Sequence, residues 1–351
     1  MRHIEMLKAL HGDAFILYCR KGNNNGIVVV DGGPVQDSFK IVNRLEELGT
    51  IDLMVLTHYD DDHIGGILAY VKKHRNDKPF PIKEMWVNCA YQVPFNVSPN
   101  ISMGQAKKLA DELTRINSNL QDSGYPIIKW EEPVIAGEKR SFPFADFHIL
   151  SPTKYIKELN DINYSKEIAN ISKKKNRQQE AIKTSLLDLS QNRKTKPSEN
   201  NKQEVINWSS IAFITICDDY SVLMLGDSYP CTIIDSLKQE GYNSNDCRLI
   251  VDYVKVSHHG SCKNINNEML DMIECNKFIL STNGGAGRSC HPDRESIANI
   301  VCHEKRNKLI PVEFYFNYKK DKIEKRGYKF INEGEDNEYS FVIYDDIQIL
   351  P

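Results

Sequence analysis

One ten-residue run constrains this chain more than any other: Thr57-His58-Tyr59-Asp60-Asp61-Asp62-His63-Ile64-Gly65-Gly66. Four candidate metal ligands, His58, Asp60, Asp62 and His63, fall within six residues. The apolar run Ile51-Asp52-Leu53-Met54-Val55-Leu56 precedes them and reads as a buried strand. Apolar positions at Ile67, Leu68, Tyr70 and Val71 follow with helical spacing, and Gly65-Gly66 reads as the tight turn into a helix over about 65–75. A strand that ends in alternating His and Asp aims several ligands into one cleft. The bland alternative is a polar turn that happens to hold two histidines, and three polar patches downstream weigh against it.

The first of these patches is Leu223-Met224-Leu225-Gly226-Asp227, where an apolar strand ends in a carboxylate with little steric cover. Alone it is a weak signal, because Asp is a common turn former. The second is Val254-Lys255-Val256-Ser257-His258-His259-Gly260-Ser261. Adjacent residues at a strand end face opposite ways, so one imidazole is the easier ligand. His258 is taken as that ligand and His259 as the group facing substrate or supporting the site, while Lys255 is expected to point away. The third joins Ser281-Thr282-Asn283 to Cys290-His291-Pro292-Asp293. His291 reads either as a substrate-binding group or as a local helix-capping residue.

These residues support one arrangement. His58 and Asp60 hold one ion, Asp62, His63 and His258 hold a second, and Asp227 bridges the two. A pair of divalent ions about 3.5–4 Å apart polarises an ester or phosphoryl oxygen and brings a bridging water toward a neutral pKa. The nucleophile would be a metal hydroxide, with Asp62 orienting its proton. Asp62, His259 and His291 are the candidate catalytic groups. His3, His11, His74 and His303 lack matching partners and read as ordinary.

Apolar patterning elsewhere predicts strands at Ile4–Ala9, Ala14–Cys19, Ile27–Val30 and Glu84–Val87, with a turn over residues 22–26. Further strands are expected near 127–130, 144–150, 211–217, 221–226, 250–257, 277–282, 311–317, 325–331 and 340–346. Helices are expected after Pro34 and over about 102–121, 229–240, 266–274 and 293–303. Strands flanked by helices imply a layered α/β structure in a single domain over 1–351. Residues 153–205 differ, with twelve Lys/Arg against seven Asp/Glu, a net +5 in a chain whose total is −3. They read as an insertion, part helix and part loop. It is either a solvated excursion or a basic arm for phosphates. Only Tyr155 and Tyr164 interleave it with aromatics, too few for a single-strand stacking platform.

Nine scattered cysteines form no CxxC pair, which fits free thiols in a reducing compartment. The first residues show no signal-peptide core, and no stretch approaches the ~20 apolar residues of a membrane span. A cytoplasmic protein without a membrane partner is the expectation.

Taken in order, several segments resemble the metallo-β-lactamase superfamily. They are Gly12-Asp13-Ala14-Phe15-Ile16-Leu17, Asp31-Gly32-Gly33, His58-x-Asp60-x-Asp62-His63, Asn207-Trp208-Ser209-Ser210, Leu225-Gly226-Asp227, the 255–261 segment, and Ser281-Thr282-Asn283 with His291-Pro292. Within the superfamily they are most similar to the hydrolase domain of the ComEC competence proteins. The resemblance spans about residues 3–330 apart from the insertion. It implies a four-layer αβ/βα sandwich with two divalent ions at one edge, and hydrolysis of an ester, often a phosphodiester. Asp31 would support the metal loop. Asp60 stands where the commoner motif has a second His, a change shared with the ComEC branch. The added carboxylate shifts preference toward Mn²⁺ or Mg²⁺ beside Zn²⁺. Many members supply another mid-chain His, for which His148 is the candidate here, with a core or edge role as the alternative. The chain has no membrane segments of the ComEC kind, so channel-linked DNA uptake is not implied.

The leading expectation is therefore a binuclear metallo-hydrolase (Zn²⁺ or Mn²⁺) acting on nucleic acid or a nucleotide. Alternatives are a small phosphoester, lactone or thioester as substrate, or a non-catalytic scaffold with a protein partner in a multi-gene defence or signalling system. A flavin-linked di-iron oxidoreductase would need an acidic ligand and a flavin domain that this chain has no room for.

Overall fold

A computed structural model describes residues 3–88, 101–164, 182–190, 196–285, 290–325 and 328–350. The strands in chain order are β1 (Ile4–Met6), β2 (Phe15–Lys21), β3 (Asn24–Val30), β4 (Ile51–Leu56), β5 (Ile82–Val87), β6 (Lys139–Phe142), β7 (Ala145–Ser151) and β8 (Ala212–Ile216). There follow β9 (Ser221–Met224), β10 (Leu249–Ile250), β11 (Tyr253–Lys255), β12 (Ile273–Glu274), β13 (Lys277–Leu280), β14 (Val312–Phe316), β15 (Phe341–Tyr344) and β16 (Ile349–Leu350).

Two sheets carry the molecule. One has the order β16-β1-β2-β3-β4-β5, the other β15-β14-β13-β11-β9-β8-β7-β6. Side chains alternate between the faces of each. Phe15, Leu17, Val28, Val30, Leu53, Val55 and Trp86 from the first sheet meet Phe147, Phe213, Val222, Met224, Tyr253 and Ile279 from the second in one sealed core. The intervening residues Ile16, Val29, Met54 and Leu56 turn outward, onto Ile41, Leu45, Ile64, Ile67 and Leu113 of covering helices. Ile214, Leu223, Val254, Phe278 and Phe314 do the same on the far side, under Ile233, Leu237, Ile297 and Val301. The layers therefore run helix, sheet, sheet, helix, as expected. No helix among the described residues is long and apolar enough to cross a membrane.

The site is positioned by strand direction. β3, β4 and β5 are mutually parallel, and so are β9, β11, β13, β14 and β15. The loops after β3, β4, β9, β11 and β13 carry Asp31, His58, Asp227, His258 and Ser281. In open α/β sheets such C-terminal strand ends are where ligands bind.

Several expectations need correction. The helix after the metal loop spans Asp61–His74 and begins four residues early. Gly65 and Gly66 lie inside it and do not form a turn. A Cβ on either would collide with backbone of residues 32–35, so close approach is what requires glycine there. The turn over 22–26 shortens, because Arg20 pairs with Asn25 and Lys21 with Asn24 in the β2–β3 ladder. The 127–130 strand reduces to one bridge, Lys129 to Glu84. Residues 250–257 split into β10 and β11, and the helix near 266–274 stops at Asp271 so that β12 can pair with β10. No strand covers residues 328–331. Phe330 packs on Phe316, and its carbonyl accepts from Arg294, so tertiary contacts hold an irregular segment. β6 and β16 were not anticipated, since both are short edge strands with weak alternation.

The described parts of 153–205 pack against the rest of the chain. Helix Lys154–Tyr164 places Asn160 against the Tyr59 hydroxyl at 2.7 Å. Leu186 is fully buried in the second sheet's outer core. Helix Lys202–Trp208 runs from the insertion into the motif Asn207-Trp208-Ser209-Ser210. Ile168, Ile171 and the triplet Lys173-Lys174-Lys175 lie outside the described residues.

Candidate metal centre

The chain leaves β4 at Leu56, and Thr57 anchors the loop that follows. Its backbone N–H donates to Asp31 Oδ1 at 2.8 Å and its hydroxyl to Asp31 Oδ2 at 2.8 Å. Because that hydroxyl proton is committed, the oxygen is left to accept from His58 Nδ1, 3.1 Å away. Ser210 Oγ stands 3.2 Å from the same nitrogen and accepts the N–H of Asp227. His63, on the first turn of helix Asp61–His74, donates from Nδ1 to Asp31 Oδ2 at 2.8 Å. His259 donates from Nδ1 to the carbonyl of Ser281 at 2.8 Å. In all three rings the outer nitrogen carries the proton, so Nε2 presents a lone pair inward.

Each inward nitrogen is buried and has no hydrogen-bond partner among the described residues, and the same is true of Asp60 Oδ1 and Asp227 Oδ1. Native proteins satisfy nearly all buried polar atoms, and an orphan costs about 1–3 kcal/mol. Here the orphans converge. His58 Nε2 lies 3.5 Å from Asp60 Oδ2 and 3.9 Å from Asp227 Oδ2. His63 Nε2 lies 3.6 Å from Asp227 Oδ1 and 3.8 Å from Asp62 Oδ1. His259 Nε2 is 3.3 Å from Asp62 Oδ2, and His258 Nε2 is 3.5 Å from Asp227 Oδ2. Two ligand atoms bound tetrahedrally to one ion at 2.0–2.2 Å stand about 3.4 Å apart. Two overlapping groups, His58 with His63 and Asp227, and Asp62 with His63 and His259, each fall within 4.8 Å. The donor set fits divalent cations.

Electrostatics agree with that fit. Burial alone would raise the carboxyl of Asp62, but His63 and His259 outweigh it and hold it below the ordinary carboxylate range. Asp227 is likewise held well below, against burial, with His258 the strongest of its neighbours. Burial disfavours charge on His259, yet Asp13 and Asp62 push its pKa up to about 10. Surplus negative charge at the site thus favours a cation beside Nε2. His258 behaves differently: burial takes it down to about 4 despite Asp227.

Local backbone explains two pairs of residues. Gly226 has φ +51°, and a Cβ there would press on Thr57 and Ser210, so glycine lets Asp227 enter between the sheets. His258 and His259 have φ of 49° and 55° in the turn Ser257–Gly260. Left-handed backbone at non-glycine residues costs about 1–3 kcal/mol and gathers at functional sites. It also overturns the expectation of opposite faces, since both rings now turn toward the carboxylates.

The other expected residues fall at different depths. His291 lies at the rim, its ring centroid 5.5 Å from that of His258. His148 is held by Glu240 at 2.9 Å on β7 and belongs to neither group. Two aromatics follow or close the Glu84–Val87 strand that the sequence sets beside the site, where they could contact substrate or, for Trp86, pack in the core. Trp86 is buried against Phe147 and Phe213, and Tyr91 lies outside the described residues.

Several contributors were not anticipated. Lys255 is completely buried and shares the inter-sheet face of β11 with Tyr253. There it pairs with Asp13 and donates to the Gly226 carbonyl at 3.1 Å. Asp13 Oδ1 in turn lies 3.3 Å from His259 Nδ1. A lysine closing an apolar strand was the available signal. Gln203 donates to Asp60 Oδ2, and Asn207 places its amide nitrogen 3.0 Å from the same oxygen and its amide oxygen 3.3 Å from His258 Nδ1. Nothing local in the sequence marks Gln203.

The family model of the metallo-beta-lactamase superfamily matches residues 9–143. Over those residues the chain is similar to that superfamily, and the four-layer fold is consistent with it. Among solved structures, Zn(2+)-bound PqqB from Methylobacterium extorquens is similar at 10% identity over 99% of both chains, with a TM-score of 0.44. A diphosphatase of the PhnP family is similar at 11% identity over 97% of this chain and 83% of that one, TM-score 0.38. A Cronobacter sakazakii metallo-beta-lactamase is similar at 9% identity and TM-score 0.28, and the chain spans 63% of its length. No curated protein matches the sequence.

Proposed function

We propose that this chain is a binuclear metallo-hydrolase acting on a phosphodiester of nucleic acid or a nucleotide. The observation that carries the reading is the convergence of His58, His63 and His259 Nε2 with Asp227 Oδ1, all buried and all without hydrogen-bond partners among the described residues. His58, Asp60 and Asp227 would hold one ion. Asp62, His63, His259 and Asp227 would hold the other. His259 takes this place over His258 because its Nε2 is sealed and its Nδ1 is fixed by a carbonyl. His258 and His291 then form the wall toward substrate. When bound, Zn²⁺ or Mn²⁺ would polarise the ester and lower the pKa of water.

The protein's own residues supply the rest. Asp62 is an ionised acceptor for the proton of the attacking water, and His291 at the rim meets the leaving oxygen. The net +5 that the sequence carries over 153–205 favours a polyanion over a small neutral ester. The described helices of this insertion touch the metal loop through Asn160 on Tyr59 and Gln203 on Asp60. This also suits the ComEC-like reading of the motifs, in a cytoplasmic setting and with a protein partner from a multi-gene system.

The test is metal analysis of purified protein, then assays with Mn²⁺ or Zn²⁺ on single-stranded DNA, duplex DNA, RNA and small phosphodiesters. Cleavage that disappears in Asp62→Ala and His63→Ala is expected. Metal binding with turnover of small esters alone would move the substrate class, and absence of metal binding would overturn the reading.

A further inference from the structure

The hairpin loop between β1 and β2, residues 7–14, is held from both halves of the molecule. Leu7 N–H donates to the Ala14 carbonyl at 2.9 Å and closes the loop. From the second sheet, Ser281 Oγ donates to the Gly12 carbonyl at 2.8 Å and Asn317 Nδ2 to the Leu7 carbonyl at 2.9 Å. The Tyr318 hydroxyl accepts from Leu10 N–H at 2.8 Å, and Leu10 sits at φ 56°. From the first sheet, Gly33 N–H donates to the Asp13 carbonyl at 2.7 Å, and Asp13 N–H donates to the carbonyl of Asp62 at 3.2 Å. A Cβ on Gly12 would collide with that same carbonyl, so the loop is wedged directly onto the Asp62 turn.

His11 rides at the apex of this wedge. It is half-buried. Among the described residues its imidazole takes no hydrogen bond or ion pair, unlike His58, His63, His258 and His259. Its neighbours Gly12 and Asp13 rest on the Asp62 carbonyl, and Asp13 Oδ1 lies 3.3 Å from His259 Nδ1, so the loop carries His11 on the Asp62–His259 side of the centre. A fully braced loop with strained backbone that presents one uncommitted imidazole beside the site is a costly arrangement for a residue with no task.

We propose that His11 is a substrate-contacting residue, whose ring donates a hydrogen bond to a phosphoryl oxygen on the Asp62–His259 side. This rests on the hydrolase reading above and names a contact of that same site. A neutral imidazole suffices, because one ring nitrogen always carries a proton. A hydrogen bond to an anionic oxygen contributes about ten- to a hundredfold in affinity or rate.

The experiment uses metal-loaded full-length protein, His11→Ala and His11→Gln, with inorganic phosphate as the binding probe beside the active phosphodiester. In His11→Ala, phosphate Kd rises and kcat/KM falls by about tenfold or more, while metal content and Tm stay at wild-type values. His11→Gln, which keeps a donor, recovers part of both. Equal phosphate affinity in wild type and His11→Ala overturns the proposal. So does loss of metal in both variants, which would assign His11 a structural role, and so does a wild-type protein that binds no phosphate. If wild type cleaves no phosphodiester, the hydrolase reading fails separately. The phosphate titration still decides for or against His11.

Discussion

The two ends of the strands treat buried polar groups in opposite ways. At the C-terminal ends, His58, His63, His259 and Asp227 turn atoms inward that nothing among the described residues satisfies. At the other end lies a cavity of about 210 Å³ lined by Arg248, Cys275, Phe278, His303, Lys305 and Arg306 among others. Its cationic lining resembles that of a binding pocket. Yet its guanidinium donors are taken. Arg248 donates to the carbonyls of Asp271, Lys305, Leu270 and Ile273, and Arg306 to those of Val301, Ile310 and Tyr339. His303 is held by Asp271 at 3.0 Å. Charge draws attention to this end, while unmet hydrogen-bonding capacity points to the other, because folding alone gives no reason to bury a lone pair without a partner.

That contrast is open to attack at both ends. The largest effect is expected from Asp227→Ala, which on the proposed reading removes a ligand common to both ions. Hydrolysis should fall by about a thousandfold or more, since several kcal/mol of charge stabilisation is lost. Tm of the metal-free protein should hold or rise, as measured by calorimetry beside metal analysis. A fall in Tm would mean that the cluster is structural. Next, Asp31→Ala should weaken metal binding by about 10- to 100-fold through loss of His63 orientation, read by competition with a chromophoric chelator. An unchanged affinity would separate Asp31 from the centre.

At the satisfied end, Arg248→Met should cost about 1–3 kcal/mol in denaturant unfolding by orphaning buried carbonyls, with metal affinity untouched. A change in metal affinity would blur the distinction between the ends. The smallest effect concerns pH. Burial tends to raise the Glu335 carboxyl, but the bidentate pair with Arg294 holds it below its ordinary 4.5. Its contribution to stability is therefore present above pH 4.5 and is lost as pH falls through the lowered value. Glu335→Gln should flatten the acid limb of a stability–pH curve and leave the neutral limb parallel to wild type.

The strands that matter were legible because burial on both faces writes long apolar runs, as in Ile51–Leu56 and Leu223–Leu225. Their polar terminations were legible for the same reason, since a run of His and Asp at a strand end has no packing explanation. The early start of the metal-loop helix was hidden by Gly65-Gly66, which local propensity reads as a break. Only the approach of residues 32–35 shows why glycine stands there. Left-handed backbone at His258 and His259 was hidden as well, because no residue type predicts a strained turn.

What the amino-acid order determined by itself was the candidate ligand set and the layered architecture, since periodicity and residue type are local properties. Tertiary structure alone decided the partners: Lys255 with Asp13, Gln203 with Asp60, and His11 beside Asp62. These pairs join positions 51 to 242 residues apart, and their meeting depends on sheet packing that no short window of sequence encodes.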